Sequence, residues 1–179
     1  MLLMLMNWKM GSNITKEVIT WDFFKQSPEM EKVFWGVYDL YDRSHIRRAM
    51  TPTDPYAFGV IKELQDRGHE VDVVTRNNPA SVKKIEDWMW SHGVDIKVRA
   101  MRRPKGTEDS VAAKAKLSYD IFIDDAPVLI EPILKSPSKK LIVYSQPWND
   151  KITIPKGKNV FRAKNWLGVR DILDKLGVL

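Results

Sequence analysis

The sequence contains no cysteine, which excludes disulfide bonds and cysteine-ligated zinc sites. It also lacks any apolar stretch near the ~20 residues that a membrane-spanning helix needs. The opening segment MLLMLMNWKM has a short apolar run, but it has neither a basic start nor a small-residue cleavage site, unlike a secretory signal. These absences predict a soluble, cytoplasmic protein that works in a reducing compartment.

The composition is that of a globular domain. The chain has 179 residues, of which 44% are hydrophobic and 29% charged, so it is long enough to bury a core. The formal charge of +6 favours anionic ligands such as phosphates. A nucleic-acid surface is not expected, because the basic residues are scattered in pairs: Arg47–Arg48, Lys83–Lys84, Arg102–Arg103 and Lys139–Lys140.

The hydrophobic pattern divides the chain into two parts. Residues 1–53 are rich in aromatic side chains and helical in pattern, which predicts a helical cap segment with helices over residues 2–6 and 28–41. Ser27 and Pro28 have the positions of N-cap and first helical residue. Residues 54–179 alternate helical and strand patterns, which predicts an α/β core.

The predicted core is a parallel sheet with helices on both faces, because short apolar strands alternate with helices. Asp54 and Pro55 begin the first of these helices, and Gly68 and Gly93 end the first two. The predicted helices span residues 54–68, 79–92, 109–117, 127–134 and 166–176. The predicted strands span residues 71–75, 95–98, 119–125, 141–144 and 160–163.

Polar residues follow three of these strands. They are Thr75-Arg76-Asn77, Asp124-Asp125 and Ser145-Gln146-Pro147-Trp148-Asn149. Ligands of open α/β sheets bind beyond the carboxyl ends of the strands. A functional site is therefore expected at this edge of the sheet.

Two adjacent carboxylates at the end of a buried strand need a compensating cation. Asp124 and Asp125 therefore suggest Mg²⁺, which binds one or two carboxylates together with phosphate oxygens. The alternative is that one of them caps the helix near Pro127 while the other is solvated.

Thr75, with free backbone N–H groups after it, suggests a phosphate cradle; the alternative is a polar turn that enters the helix at Pro79.

A lysine on the short helix before the third strand is a candidate partner of the phosphate. Lys114 lies ten residues before Asp124 and could reach the strand ends. Lys116 is the alternative on the same helix. An exposed lysine without a function is the other reading of either residue.

The order of strand-end Thr, Lys and strand-end Asp-Asp resembles motifs II, III and IV of the haloacid dehalogenase (HAD) superfamily of phosphohydrolases. The stretch KAKLSYDIFIDDAP, residues 114–127, resembles that of the 5′(3′)-deoxyribonucleotidases and their bacterial and phage relatives. Three further stretches are similar to this family: NITKEVITWDFF at 13–24, SQPWND at 145–150 and RAKNWLGVRDIL at 162–173. The resemblance thus covers almost the whole chain.

The resemblance implies a fold with a HAD-like Rossmannoid sheet and a small helical cap. It also implies an enzyme that removes phosphate from (deoxy)nucleoside monophosphates with Mg²⁺. It implies that Thr75 hydrogen-bonds the phosphoryl group and that Lys114 neutralises it. Asp124 and Asp125 would supply acidic Mg²⁺ ligands. The substrate pocket would be lined by Arg76, Asn77, Trp148 and Asn149.

One motif of the family is missing. Its first strand ends in D-x-D-G, whose first Asp is the nucleophile, and no D-x-D occurs before Asp54. Asp39 and Asp42 have the wrong spacing and lie in a helical pattern. By the family's topology, the absent strand would lie between those that end at Thr75 and Asp124. We therefore expect an inactive or impaired chain of reduced stability, or a homo-oligomer or partner strand that fills the gap.

Two alternatives stay open. The first, of a different class, is a non-catalytic module that binds a nucleotide or phosphate without turnover. The second is a phosphatase of polynucleotide 3′ or 5′ ends within the same superfamily, prompted by the positive charge and by the run Arg102-Arg103-Pro104-Lys105. Salt-sensitive binding of an oligonucleotide would favour the second.

Overall fold

The computed structural model describes residues 7, 10, 11, 13, 23–43, 51–76, 79–101, 111–155 and 159–179. The chain forms two compact units. Unit 1 is Met1–Met50 with Gln146–Lys151, and unit 2 is Thr51–Ser145 with Ile152–Leu179. The sequence-based boundary after residue 53 stays a prediction. No helix of the described residues is long and apolar enough to cross a membrane.

Unit 1 contains the 3-10 turn Phe23–Gln26 and helix α1, Pro28–Arg43. Ser27 caps α1 as predicted, because its Oγ accepts a hydrogen bond from the Met30 N–H at 3.1 Å. Asp39 and Asp42 lie within α1, in agreement with the helical pattern read from the sequence. The predicted helix over residues 2–6 lies outside the described residues.

Unit 2 is the α/β part of the chain. Its helices are α2 (Tyr56–Asp66), α3 (Val82–Ser91), α4 (Ile130–Leu134) and α5 (Trp166–Lys175). Short 3-10 turns cover Pro79–Ser81, Ala112–Lys116 and Pro127–Leu129. Its strands are β1 (Asp72–Thr75), β2 (Lys97–Ala100), β3 (Ile121–Asp124), β4 (Lys140–Tyr144) and β5 (Val160–Ala163).

The strands form two separate parallel sheets among the described residues. β1 pairs with β2, from Asp72 opposite Lys97 to Thr75 opposite Ala100. The other sheet has the order β3-β4-β5, with Ile121 opposite Lys140 and Leu141 opposite Val160. The fold class is the predicted HAD-like α/β class, but the predicted single sheet is interrupted between β1 and β3.

The three-stranded sheet contains the most deeply buried residues. Leu141, Ile142 and Val143 of β4 are fully buried, as expected of a central parallel strand. Ile142 packs with Val60 and Leu64 of α2 and with residues of α5 on one face. The helix α4 contacts β4 and β5, and its Ile133 is also fully buried. Helices therefore cover β4 on both sides.

Helix α2 packs against both sheets. Its Val60 and Leu64 belong to the core of the three-stranded sheet, whereas its Ile61 packs with Met89 and Ile96 beside β2. Val71 and Trp166 contact both clusters. A bidentate ion pair fixes α2 to α5, because Arg170 donates twice to Glu63 at 2.9 Å. These contacts hold the two sheets together on one side of the interruption.

Element boundaries differ from the predictions where turns compete with strands. The predicted strand 95–98 is observed as Lys97–Ala100, because the chain turns at His92 and Gly93, with Gly93 at φ +79°, and β2 then aligns with β1. The predicted helix 109–117 is a 3-10 turn over Ala112–Lys116 in its described part. The predicted strand at 119–125 is limited to Ile121–Asp124.

Candidate functional site

The carboxyl ends of β1 and β3 border the candidate site. The Tyr119 hydroxyl, two residues before β3, donates to Asp72 Oδ2 at the start of β1 at 2.6 Å. The amino-terminal ends of these two strands therefore lie at the same edge. Thr75 and Asp124 end the two strands at the other edge, as the sequence predicted.

A groove of about 520 Å³ runs between β1 and β3. Both strands contribute apolar side chains to it, and Trp166 and Leu173 of α5 and Val178 add to the lining. Lys114 and Asp124 lie among its lining residues. No strand of the described residues occupies this groove.

Lys114 and Asp124 form a close, largely buried ion pair. Lys114 Nζ donates to Asp124 Oδ2 at 2.6 Å, and the two side chains are 13% and 14% exposed. The other oxygen, Asp124 Oδ1, accepts a hydrogen bond from the Ala126 N–H at 2.9 Å. Lys114 thus reaches the strand end, and Asp124 also holds the start of the turn that begins at Pro127. Lys116, the alternative lysine, is exposed.

Asp125 is a carboxyl group in an unfavourable environment for a negative charge. Burial, and then the neighbouring Asp124 carboxylate, raise the pKa of Asp125 to about 6. Lys114 offsets part of this effect through its positive charge. A further cation near Asp125 would stabilise its ionised form.

Thr75 is half-buried at the end of β1, where its carbonyl oxygen accepts a hydrogen bond from the Met101 N–H at 2.8 Å. Arg76 follows and is exposed. Asn77 lies outside the described residues. Strands β1 and β3 both line the groove, and Lys114 and Asp124 are among its lining residues, whereas Thr75 is not.

Trp148 and Asn149 belong to unit 1 and form part of a turn. Asn149 is 1% exposed, and its Oδ1 accepts a hydrogen bond from the Gln146 N–H at 3.0 Å. The Asn149 N–H in turn donates to the Gln146 carbonyl oxygen at 3.0 Å. These bonds give Asn149 a role in the turn itself; its role in a substrate pocket stays a prediction.

Two positions of unit 2 have contacts that sequence reasoning missed. Asp54 was predicted only as a helix cap, and its Oδ1 does accept from the Tyr56 N–H at 3.0 Å. Its Oδ2 also accepts from the Trp166 N–H at 2.7 Å and the Tyr144 hydroxyl at 3.1 Å. Lys139, read only as half of a basic pair, donates to backbone carbonyls beside Lys114. Both sets of contacts join distant parts of the chain, so no local signal marks them.

The donor set fits a hard divalent cation only in part. No group of three or more His, Cys, Asp or Glu side chains that could hold a metal occurs in the described part of the chain. Asp124 and Asp125 offer two adjacent carboxyl groups, and the raised pKa of Asp125 is the effect that a bound cation would offset. Mg²⁺ keeps several water ligands and is bound through one or two carboxylates together with substrate phosphate oxygens, so the pair would supply the protein's part of a Mg²⁺ site.

Comparison with known proteins gives the family. The family model described as "5' nucleotidase, deoxy (Pyrimidine), cytosolic type C protein" matches residues 2–177. The chain belongs to this nucleotidase family. The resemblance to HAD-like deoxyribonucleotidases that the sequence suggested is thereby confirmed.

One curated relative matches over part of its length. It is a protein of Bacillus cereus named "Putative nucleotidase", 23% identical over 123 residues. The match covers 68% of this chain and 60% of that protein, so the chain spans less than two thirds of the relative's length. No solved structure matches the chain significantly.

Proposed function

We propose that this chain carries the phosphate- and metal-binding half of a nucleotidase-type phosphohydrolase site, which acts on (deoxy)nucleoside monophosphates. The observation that carries the proposal is the largely buried Lys114–Asp124 pair with Asp125 beside it, next to the groove. Family membership supports the reaction class. The absence of cysteine supports a cytoplasmic location.

Each side chain has a proposed role in phosphoryl transfer, which depends on positioning and charge stabilisation. Asp124 and Asp125 would bind Mg²⁺, which would neutralise charge on the phosphate. Lys114, now paired with Asp124, would turn its ammonium to the phosphate oxygens. Thr75 would donate its hydroxyl hydrogen bond from the β1 side of the groove. The proposed pocket residues are Arg76, Asn77, Trp148 and Asn149.

A strand that enters the groove would complete this site. The groove lies between two strands that have no strand neighbour on their facing sides among the described residues, and apolar side chains line it. An extended apolar segment parallel to β1 and β3 fits this geometry, since it would pair with both edges. We propose that this strand supplies the carboxylate nucleophile, and that the chain without it is inactive or impaired.

The second candidate is a module that binds a nucleotide without turnover. It is favoured by the same acidic pair, because two carboxylates and a lysine suffice to hold Mg²⁺ and a phosphate but include no carboxylate placed as a nucleophile. Both candidates predict Mg²⁺-dependent nucleotide binding. Turnover separates them.

Calorimetric titration tests the binding role shared by both candidates. We expect this chain to bind a deoxynucleoside monophosphate only with Mg²⁺ present. Lys114→Met should weaken nucleotide binding about tenfold or more, because a charge-assisted hydrogen bond is lost. The same change should strengthen binding of Mg²⁺ alone, since the competing ammonium leaves Asp124.

Lys116→Met is the matched control, because this exposed lysine lies on the same turn. We expect it to leave nucleotide binding within about twofold, as surface charges have small effects. Equal losses in the two variants would contradict a specific role of Lys114. Mg²⁺-independent nucleotide binding would contradict the role of the acidic pair.

A further inference from the structure

The ammonium group of Lys139 contacts the backbone of the turn that carries Lys114. Lys139 Nζ donates to the carbonyl oxygens of Ala115 at 2.7 Å and Leu117 at 2.6 Å. These carbonyls lie at the end of the 3-10 turn that carries Lys114. The last carbonyl groups of a helical turn have no partner within it, and a cation there both satisfies them and interacts favourably with the dipole.

Lys139 also contacts the strand that carries Asp124. Its ammonium lies 5.7 Å from the centroid of the Phe122 ring, a favourable distance for a cation–π contact. Phe122 is 8% exposed and precedes Asp124 by two residues in β3. Lys139 therefore touches both segments whose side chains form the Lys114–Asp124 pair.

The backbone of Lys139 is itself held in place. Its N–H donates to the Ser136 carbonyl oxygen at 2.9 Å. Its carbonyl oxygen accepts from Asn159 Nδ2 at 3.2 Å, and the same amide donates to Ile133 O at 2.7 Å. Asn159 is 9% exposed, so these bonds are shielded from water. The Lys139 side chain thus extends from a backbone that is held by hydrogen bonds.

We propose that Lys139 is a positioning residue that holds the Lys114 turn against β3 and so sets the place of the Lys114 ammonium. The inference rests on the proposed phosphate-binding role of Lys114. A five-residue 3-10 turn has poor internal hydrogen-bond geometry, so its position depends on outside contacts. Lys139 makes two of these contacts through one charged group.

Lysine acetylation followed by mass spectrometry tests the proposal. A short exposure of the whole chain to acetic anhydride labels each lysine at a rate that depends on its accessibility. In the unaltered protein, Lys114 should react slowly because it is 13% exposed and paired. In Lys139→Met, opening of the turn should speed acetylation of Lys114 about tenfold, as expected for losing hydrogen bonds to a charged donor.

Three comparisons separate positioning from general loosening. Lys135→Met removes an exposed lysine whose ion pair lies within α4 and its end, so it should leave the Lys114 rate unchanged. Lys139→Arg keeps a cation with donors and should restore the Lys114 rate to within about threefold. Lys140 is half-buried at the start of β4, and its rate should not follow that of Lys114.

An unchanged Lys114 rate in folded Lys139→Met would overturn the proposal. An equal rise at Lys114 and Lys140 would also overturn it, because it would show a general loss of structure. If Lys139→Met does not fold, Lys139→Gln is measured instead, since the amide can still donate to one carbonyl. The labelling uses neither nucleotide nor Mg²⁺, so its result does not depend on whether the nucleotide-binding test succeeds.

Discussion

At the scale of single residues, Asp125 has the most unusual ionisation of the candidate site. Its folded pKa of about 6 lies above the ordinary value of 3.8, so folding favours the protonated form. The folded state then holds a proton that the unfolded state releases between these two pH values. Ionised Asp125 therefore lowers stability as the pH rises through this range, and the loss is complete above about pH 6.

The first prediction follows from this loss of stability with rising pH. Asp125→Asn should raise the free energy of unfolding at pH 8 by about 2 to 3 kcal/mol, and should have little effect at pH 4. Urea unfolding at the two pH values measures the difference. Asp66→Asn, at an exposed carboxyl at the end of α2, is the matched control for the same chemical change at the surface. A stabilisation that is equal at both pH values would contradict the origin assigned to it.

The second prediction concerns Asp54, whose carboxylate accepts three hydrogen bonds from three parts of unit 2. Asp54→Ala should cost about 2 to 4 kcal/mol, because three part-buried hydrogen bonds to one buried carboxylate are lost together. Tyr144→Phe removes only one of these bonds and should cost about 1 kcal/mol. Chemical unfolding of both variants tests this order. If Tyr144→Phe lowered the free energy of unfolding more than Asp54→Ala does, the three hydrogen bonds of Asp54 would not be the source of the stabilisation.

Sequence reasoning located the residues at strand ends and could not locate their long-range partners. Thr75 and Asp124 were found because polar residues directly after apolar runs mark strand ends. Lys114 was expected to reach over the strand ends, and its Nζ lies 2.6 Å from Asp124 Oδ2; its role toward a phosphate stays a prediction. The three contacts of Asp54 extend as far as Trp166, 112 residues away, and a contact at that separation depends on the complete fold.

At the scale of elements, helix ends were well predicted because their signals are local. Gly68 and Gly93 end helices with positive φ angles of 85° and 79°, a conformation that glycine adopts without strain. Strand β2 was misplaced by two residues because Val94, Ile96 and Val98 alternate as buried residues across the turn and the strand. Only its pairing with β1 fixes where the strand begins.

The third prediction concerns the start of α5. Asn165 caps this helix, since its Oδ1 accepts from the Gly168 N–H at 2.8 Å. Asn165→Ala should lower the free energy of unfolding by about 1 kcal/mol, whereas Asn165→Asp should be nearly neutral because it keeps the acceptor. Urea unfolding measures both. Equal losses of stability in the two variants would show that the hydrogen bond from the Gly168 N–H is not what stabilises the start of α5.

At the scale of the whole molecule, the interrupted sheet is the main structural feature of unit 2. The sequence predicted where the interruption lies only through the family resemblance, because composition and periodicity describe the strands that are present and not their order. Helix α2 spans both sheets and keeps them in place. The groove therefore persists as a feature of unit 2.

The fourth prediction concerns backbone protection in unit 2. Strand β4 is paired on both sides, whereas β1 and β3 each have one strand neighbour among the described residues. Amide hydrogen exchange should therefore be at least about tenfold slower in β4 than in β1 and β3. Mass spectrometry of the exchanged protein measures this. Equal protection of all three strands would contradict the description of β1 and β3 as strands that are paired on one side only within the described part of the chain.

The most direct test of the central claim is phosphate release from deoxynucleoside monophosphates in the presence of Mg²⁺. The chain is compared with a form extended upstream by a strand that carries an in-frame D-x-D motif, and with Asp124→Asn in that form. We expect turnover only in the extended form and its loss in Asp124→Asn, with Asp66→Asn as the unaffected control. Turnover by the chain alone would contradict the need for a completing strand and its nucleophile. Nucleotide binding by both forms without turnover in either would instead establish the binding module.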